Sequence, residues 1–327
     1  MPSPSKWQSL PTEQINPATL AIDKLAPADI VAGMLSEDRK MLVAVQREKE
    51  RIAVGVEIIT QALRRGGRVI FVGAGTSGRL GVLESAEMPP TFGTSSDLVL
   101  AIMAGGKNAF LRAKEGVEDN YEEGARSIMR LHPGKKDVVI GVSASGMTQF
   151  VRGGLTRARR AGSKIIFVTC DPRTELQTFV DLTIAPAVGP EVIAGSTRLK
   201  AGTATKMVLN MLTTASMIRI GKTYGNLMVD VQMGSEKLKD RARRIITIVT
   251  GLEYDEADRL LRKAHWNVKA AIVMEKSELT YPKAMARLKA AHDFVRDAIH
   301  EDVEPRLRQL LETSDAAASS NHTSTSR

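Results

Sequence analysis

Five short apolar runs, most of them separated by segments of helical pattern, constrain this chain more than any other feature. They are RVIFVG (Arg68–Gly73), LVLAIMAGG (Leu98–Gly106), DVVIGVSASG (Asp137–Gly146), SKIIFVTCD (Ser163–Asp171) and the shorter VDLTIAP (Val180–Pro186). Near-continuous runs rich in β-branched residues, without polar alternation, read as strands buried on both faces. Strands of that kind belong to parallel sheets, whose crossover helices cover both sides. The pattern therefore predicts an α/β fold, a three-layer αβα sandwich built on a five-stranded parallel sheet.

The flanking regions read differently. Residues 1–27 carry Pro2, Pro4, Pro11, Pro17 and Pro27, and are expected to form an irregular arm. Helical pattern begins at Ala28, with Ser36 or Asp38 as candidate caps for a long amphipathic segment ending at Gly66-Gly67. The sheet domain is drawn from 28 to 235, and it includes a long helical stretch after Ala201 that stops near Gly221. Residues 236–312 read as a small C-terminal module of short helices, with Asp255 or Asn267 as caps. The tail, 313–327, is poor in apolar bulk and is expected to be disordered.

Composition removes several function classes. At 327 residues and 43% hydrophobic content, the chain can bury a substantial core. No apolar run approaches the roughly 20 residues of a membrane helix, and the opening MPSPSKWQSLPTEQINP lacks the apolar stretch of a signal peptide. The single cysteine, Cys170, cannot form an intrachain disulfide and suits a reducing cytoplasm, where it reads as a buried strand-end residue. The net charge of +9 fits either attraction to anions or a solvated basic surface. Aromatics make up only 4% of the chain and are not interleaved with the basic clusters, which argues against nucleic acid. The five histidines are scattered, and neither H-E-x-x-H nor C-x-x-C occurs, so no metal site is expected.

The turn GAGTSG after the first run matches G-x-G-x-x-G. A dinucleotide would also need an acidic residue about 20 positions on, at the end of the second strand. That strand ends instead in Ala104-Gly105-Gly106-Lys107. The third run ends in a second hydroxyl-rich turn, Ser143-Ala144-Ser145-Gly146-Met147-Thr148, which again opens a helix. Thr76, Ser77 and Gly78 in the first turn, with Ser143, Ser145, Gly146 and Thr148 in the second, offer hydroxyls and backbone N–H groups. Such donors suit the clustered acceptor oxygens of a phosphate monoester. One such turn would be an ordinary helix cap; two at the same sheet edge point to a shared anion.

These motifs resemble the sugar isomerase (SIS) domain of phosphosugar-binding proteins. The segments GAGTSGRLGVLESAEMPPTFGT, AGGKNAFLRAKEGVEDN, VIGVSASGMT, VGPEVIAGSTRLKAGTATKMVLNML and GNLMVDVQ are similar, more specifically, to the N-acetylmuramic acid 6-phosphate etherases, and Gly251–Met274 resembles their small UBA-like helical module. The likeness covers roughly residues 20–300. It implies removal of D-lactate from the sugar C3 ether by elimination and then water addition, without metal or redox cofactor. Carried over from the family's motifs, Glu87 in SAEMPP is the acid/base for lactate and water, and Glu118 in EGVEDN is the base for the C2 proton. Glu84 and Glu115, three residues earlier, would exchange with them if the registration slipped. Pro89-Pro90 is expected to stop the helix beyond Glu87, and Gly116 to end one before Glu118. Glu191, Ser196, Thr197 and Lys200 are further binding candidates, with Lys200 balancing substrate charge. A straight helix would leave Glu87 about 15 Å from the phosphate turn, at about 1.5 Å per residue. The resemblance implies a homodimer, so the pocket is expected to draw residues from both chains. A non-catalytic phosphosugar regulator, like the animal glucokinase regulatory protein, is the competing reading. A sugar-phosphate isomerase is weaker, since nothing marks the usual isomerase histidine and base.

Overall fold

The computed structural model describes residue 7 and residues 10–323, with side chains described through residue 313. The chain divides into two compact units, Met1–Glu87 with Ser95–Ser216, and Met88–Thr94 with Met217–Arg327.

In the first unit the arm forms three short 3-10 turns, Pro11–Glu13, Pro17–Thr19 and Ile22–Lys24. Helix α1 (Pro27–Arg47) and helix α2 (Lys49–Arg64) follow. Pro27 opens α1 at the position where a missing N–H costs nothing. Ser36 and Asp38 therefore lie inside α1 and cap nothing, contrary to expectation. The expected single segment is also interrupted, at Glu48, whose carboxylate accepts the Ala185 N–H at 3.0 Å.

The sheet domain then runs β1 (Val69–Gly73), α3 (Gly75–Phe92), β2 (Val99–Met103), α4 (Gly106–Leu111), α5 (Tyr121–Met129), β3 (Val138–Val142), α6 (Gln149–Arg160), β4 (Lys164–Val168), β5 (Leu182–Ile184) and α7 (Lys200–Arg219). The five strands lie in the order β2-β1-β3-β4-β5, and every pairing is parallel. On one face α5 and α6 bury Ile128, Phe150, Val151 and Leu155 against Ile70, Val72, Val139, Ile165 and Phe167. On the other, Gly81 brings α3 against Phe71, and Gly55 brings α2 against Leu182, Ile184 and Leu212 of α7. The predicted αβα sandwich is thus the observed one. Cys170, just beyond β4, is buried, and burial together with the nearby Glu191 pushes its thiol up to about 12.

Two expected helix stops are not observed. Helix α3 continues through Pro89 and Pro90 to Phe92, and Gly93 at φ +60° follows it. Prolines so near a C-terminus displace few intrahelical bonds, and Gly93 N–H still reaches Pro89 O at 3.0 Å. Helix α4 ends at Leu111, well before Gly116; that glycine, at φ +75°, opens the 3-10 turn Val117–Asp119 that carries Glu118.

The second unit is helical: α8 (Glu236–Thr250), α9 (Tyr254–Lys263), α10 (Val268–Ser277), α11 (Tyr281–Ala290), α12 (Val295–Ile299) and α13 (Glu304–Thr323). Asn267 caps α10 as expected, accepting from Ala270 N, whereas α9 is capped by a Glu253–Glu256 box, with Asp255 inside its first turn. The unit's buried cluster includes Tyr224, Val229 and Val231, ahead of the boundary at 236 drawn from sequence. Lys269, buried, and Lys222 both pair with Asp230, at 2.6 and 3.0 Å. The segment expected to be a disordered tail, 313–327, enters α13 as far as Thr323; its last four residues lie outside the described ones.

In the first unit the beginning of α7 is tied to α1 by an ion pair with little access to solvent. Lys200 Nζ lies 2.5 Å from Glu37 Oε2, with the two side chains 3% and 5% exposed, and Lys40 also pairs with Glu37. Burial pushes the Glu37 carboxyl up, but hydrogen bonds from Lys200, Lys40 and Asn16 and the Lys200 charge outweigh it and bring it down from 4.5 to about 2. A depressed carboxyl contributes its full stability above the unfolded value and loses it as pH falls through the folded one. Urea unfolding should therefore show a loss of stability between about pH 4.5 and 2 that is smaller in a Glu37→Met/Lys200→Met double variant. Separately, a Cβ on Gly73 would lie 2.7 Å from the Gly78 backbone nitrogen. Gly73→Ala should cost about 1–3 kcal/mol in the same assay, the usual cost of overpacking.

Candidate phosphosugar site

The strand order reverses between β1 and β3: the chain leaves β1 for β2 on one side and then crosses to β3 on the other. At such a switch point the two following loops diverge and leave a crevice beyond the strands' carboxyl ends. Gly73 pairs with Val142 in register. Ala74 and Ser143, the next residues, therefore begin two turns side by side.

The first turn leads directly into α3. The first intrahelical bond is Gly78 N–H to Ala74 O, at 3.1 Å, so the N–H groups of Gly75, Thr76 and Ser77 precede the helix's own ladder. They stand at the positive end of the α3 dipole. Gly78 is buried behind them, packed against Gly73 and Met103, where only a glycine fits. Arg79 points back over the turn and donates to the carbonyls of Ala109 and Phe110 at 2.7 and 2.9 Å, which fixes α4 beside it.

The second turn is held from beneath. Gly146 N–H closes onto Ser143 O at 3.1 Å. Gly146 adopts φ +74° with Thr174 close against it, and Thr174 and Thr169 donate to the carbonyls of Gly146 and Ala144 at 3.3 Å. Ser143, 2% exposed, shares a 2.7 Å hydrogen bond with Thr148. That pair uses one of its two hydroxyl hydrogens, so one remains for an external acceptor. Ser145 accepts from Met147 N at 3.3 Å, which leaves its own hydroxyl hydrogen free to donate.

Thr76, Ser77, Ser143, Ser145 and Thr148 line one cavity of about 300 Å³ together with Glu118. Glu115, Lys114, Arg79, Thr197 and Glu13 also line it. Gly78 and Gly146 lie behind the lining and shape its two turns. A larger groove of about 840 Å³, between α5 and α6, is lined by Arg126, Arg130, Arg157 and Arg160 and contains none of these turns.

The structure does not bring the remaining candidates into this cavity. Glu87 is exposed on α3, ten residues beyond Ser77 and so about 15 Å along an unbroken helix. Glu84, one turn earlier, is buried and receives hydrogen bonds from Asn210 and from Thr213, the latter at 2.6 Å. Burial raises its carboxyl above the ordinary range; the Thr213 hydrogen bond and Lys206 oppose the shift, and the Glu87 charge adds to it. Glu191 is also buried, accepting from the N–H groups of Lys200 and Ala201 at 3.2 and 2.9 Å, the first two of α7. Burial raises its carboxyl, against the pull of those two backbone bonds. Lys200 faces Glu37 and lines a different cavity, of about 490 Å³. Ser196 sits in the intervening turn between two lining residues, Gly195 and Thr197, and its own side chain is not part of the lining.

Sequence reasoning missed Glu13 and Lys114. Glu13 lies in the arm read as irregular, more than sixty residues from either turn, and no local spacing connects it to them. Among the described residues, no three His, Cys, Asp or Glu side chains gather where they could hold a metal, and no helix is long and apolar enough to cross a membrane.

A donor-lined crevice with a carboxylate facing it can hold a phosphorylated molecule and move a proton on it. Comparison with known proteins identifies the family. The family model described as the glucokinase regulatory protein N-terminal SIS domain matches residues 51–159. The N-acetylmuramic acid 6-phosphate etherase of Salinibacter ruber is 48% identical over 296 residues, covering 90% of this chain and 95% of that one. Vibrio cholerae N-acetylmuramic acid 6-phosphate etherase 2 is 45% identical, covering 90% and 96%, and the Clostridium beijerinckii etherase is 44% identical, covering 90% and 97%. Identity at this level along nine-tenths of each protein extends well past the phosphate turns to both units, and the chain belongs to the N-acetylmuramic acid 6-phosphate etherase family.

Proposed function

We propose that this protein is a carbon–oxygen lyase that cleaves N-acetylmuramic acid 6-phosphate to N-acetylglucosamine 6-phosphate and D-lactate. Apart from the family relationship, the reading rests on one observation: two hydroxyl-bearing turns and Glu118 share a cavity at the sheet's switch point. The turns, through the Thr76, Ser77, Ser143, Ser145 and Thr148 donors, hold the phosphate. The α3 dipole and the unpaired N–H groups favour an anion there.

The chemistry follows from the open-chain sugar, whose C2 proton lies beside an aldehyde and is thereby acidified. Glu118 removes that proton. The C3–O bond breaks, Glu87 protonates the departing lactate oxygen, and a C2=C3 double bond conjugated to the aldehyde remains. Glu87 then takes a proton from water as the oxygen adds to C3. Glu118 returns its proton to C2, so that one water is consumed and both carboxylates are restored. Such transfers depend on positioned carboxylates.

Glu87 enters this scheme from a second copy. Its face of α3 also exposes Leu83, one turn away, and α1 exposes Val31, Met34, Leu35 and Leu42 at helical spacing. An apolar stripe of that kind fits a self-complementary contact between two chains. In our proposal the partner covers these helices and supplies Glu87 to the cavity, while the cell compartment is the cytoplasm. Residues 28–235 are proposed as the phosphosugar domain and 236–312 as a UBA-like helical module. Glu191 and Lys200 would support the loop that presents Ser196 and Thr197.

Incubation with N-acetylmuramic acid 6-phosphate should release lactate; a regulator that only binds phosphosugars would release none. Glu118→Gln should lower kcat by about 10²- to 10⁴-fold, the usual contribution of a general base, while still binding N-acetylglucosamine 6-phosphate. Glu87→Gln and Glu118→Gln proteins, each inactive alone, should recover about a quarter of wild-type activity when subunits are mixed and exchanged. Random pairing gives about half hybrid dimers, each with one intact site. No recovery despite confirmed exchange would place Glu87 and Glu118 in the same subunit's site or remove Glu87 from the mechanism.

A further inference from the structure

We propose that Glu13 is a further substrate-contacting residue: the N-terminal arm carries its carboxylate to the phosphosugar cavity, where it accepts a hydrogen bond from a hydroxyl or amide N–H of the sugar. The inference rests on the phosphosugar reading above and adds a positioning group to it.

The arm is held on both sides of Glu13. Leu10 and Thr12 are buried, and Thr12 O accepts the Gly195 N–H at 2.9 Å. Asn16, also buried, donates to Pro190 O at 3.2 Å, and Thr19 donates to Val192 O at 3.1 Å. These contacts lock the arm along residues 190–195, the stretch that leads into Thr197 of the cavity lining. Glu13 lies between two anchors, so its position is set by them and not by its own side chain.

The carboxylate itself is left for another partner. It is exposed, and no hydrogen bond or ion pair occupies it among the described residues. It lies over Gly195, where an added Cβ would stand 3.0 Å from Glu13 Oε2, and Gly195 adopts φ +77°. The backbone conformation at 195 thus calls for glycine, and the Glu13 side chain occupies the space beside it.

The polarity of the cavity determines what Glu13 can bind. The two turns present N–H and O–H donors, which match a phosphate that only accepts. A carboxylate only accepts as well and would repel the phosphate and the lactyl group. Its partner must be a donor, and an amino sugar supplies these on its hydroxyls and its acetamide N–H. Donors on one side and an acceptor on the other would fix the direction in which the sugar lies, and so which carbon faces Glu118.

The full-length Glu13→Ala and Glu13→Gln proteins test this, with lactate release, titration with N-acetylglucosamine 6-phosphate and titration with inorganic phosphate as readouts. Loss of a charge-assisted hydrogen bond should weaken product binding and raise KM by about 10- to 100-fold in Glu13→Ala. Phosphate affinity and Tm should stay at wild-type values, and Glu13→Gln, which keeps an acceptor oxygen, should recover part of the loss. Wild-type KM and product affinity in Glu13→Ala would overturn the role of Glu13 while leaving the etherase reading intact. So would an equal loss of phosphate affinity or a lowered Tm, since either marks a structural role. A wild-type protein that releases no lactate but loses product binding in Glu13→Ala would overturn the etherase reading and keep this one. A wild-type protein that binds no phosphosugar overturns both.

Discussion

The pairing of β1 with β3 is the constraint on which the rest depends. Their parallel register sets Gly73 opposite Val142, so the residues that follow leave the sheet at the same level and on adjacent strands. Each strand then has to turn into a helix, and the two turns meet where the strand order reverses. Unsatisfied N–H groups at the start of α3 and hydroxyls at the start of α6 are ordinary properties of helix beginnings. Only their convergence makes them the anion site proposed above. Close packing keeps it rigid: Gly73 touches Gly78, and Thr169 and Thr174 brace the second turn from β4's end.

The acidic side chains around this frame divide by burial. Glu37, Glu84 and Glu191 are the buried glutamates among the described residues, and each is engaged by partners: lysines on Glu37, Asn210 and Thr213 on Glu84, two α7 N–H groups on Glu191. Desolvating a carboxylate is expensive unless hydrogen bonds offset it, so these three hold helices together and have little capacity left for a substrate. Glu13 and Glu118 have the opposite character, lining the cavity with no side-chain hydrogen bond or ion pair among the described residues. The buried glutamates thus act as internal ties, and the chemistry is proposed for those left open.

Helix α3 links the phosphate turn to the other proposed catalytic carboxylate, and its regularity is what separates them. A break at Pro89-Pro90 lies too late to shorten the distance, because Glu87 precedes it. The same face of α3 leaves Leu83 uncovered, and α1 leaves an apolar row uncovered. The proposed composite site between two copies would account for all three features at once.

Much of this was legible in the sequence because it is local. Apolar runs of strand length mark the sheet, and the two glycine- and hydroxyl-rich turns mark the edge proposed to bind phosphate. The carboxylates at 87 and 118 are recognisable only by family motif, since an isolated glutamate carries no signal of its own. Helix boundaries are less legible: Pro27 opens α1 without a polar cap, α3 tolerates two prolines near its end, and Gly116 opens a turn where its sequence context suggests the close of a helix. What only the tertiary structure decided is long-range adjacency. The strand order places the turns of β1 and β3 together; the arm reaches over residues 190–195 to bring Glu13 to them; and Lys200 folds inward onto Glu37. Chain patterns encode what neighbouring residues must do to bury apolar surface and satisfy backbone groups, whereas contacts between residues far apart in the chain emerge only when the layers pack.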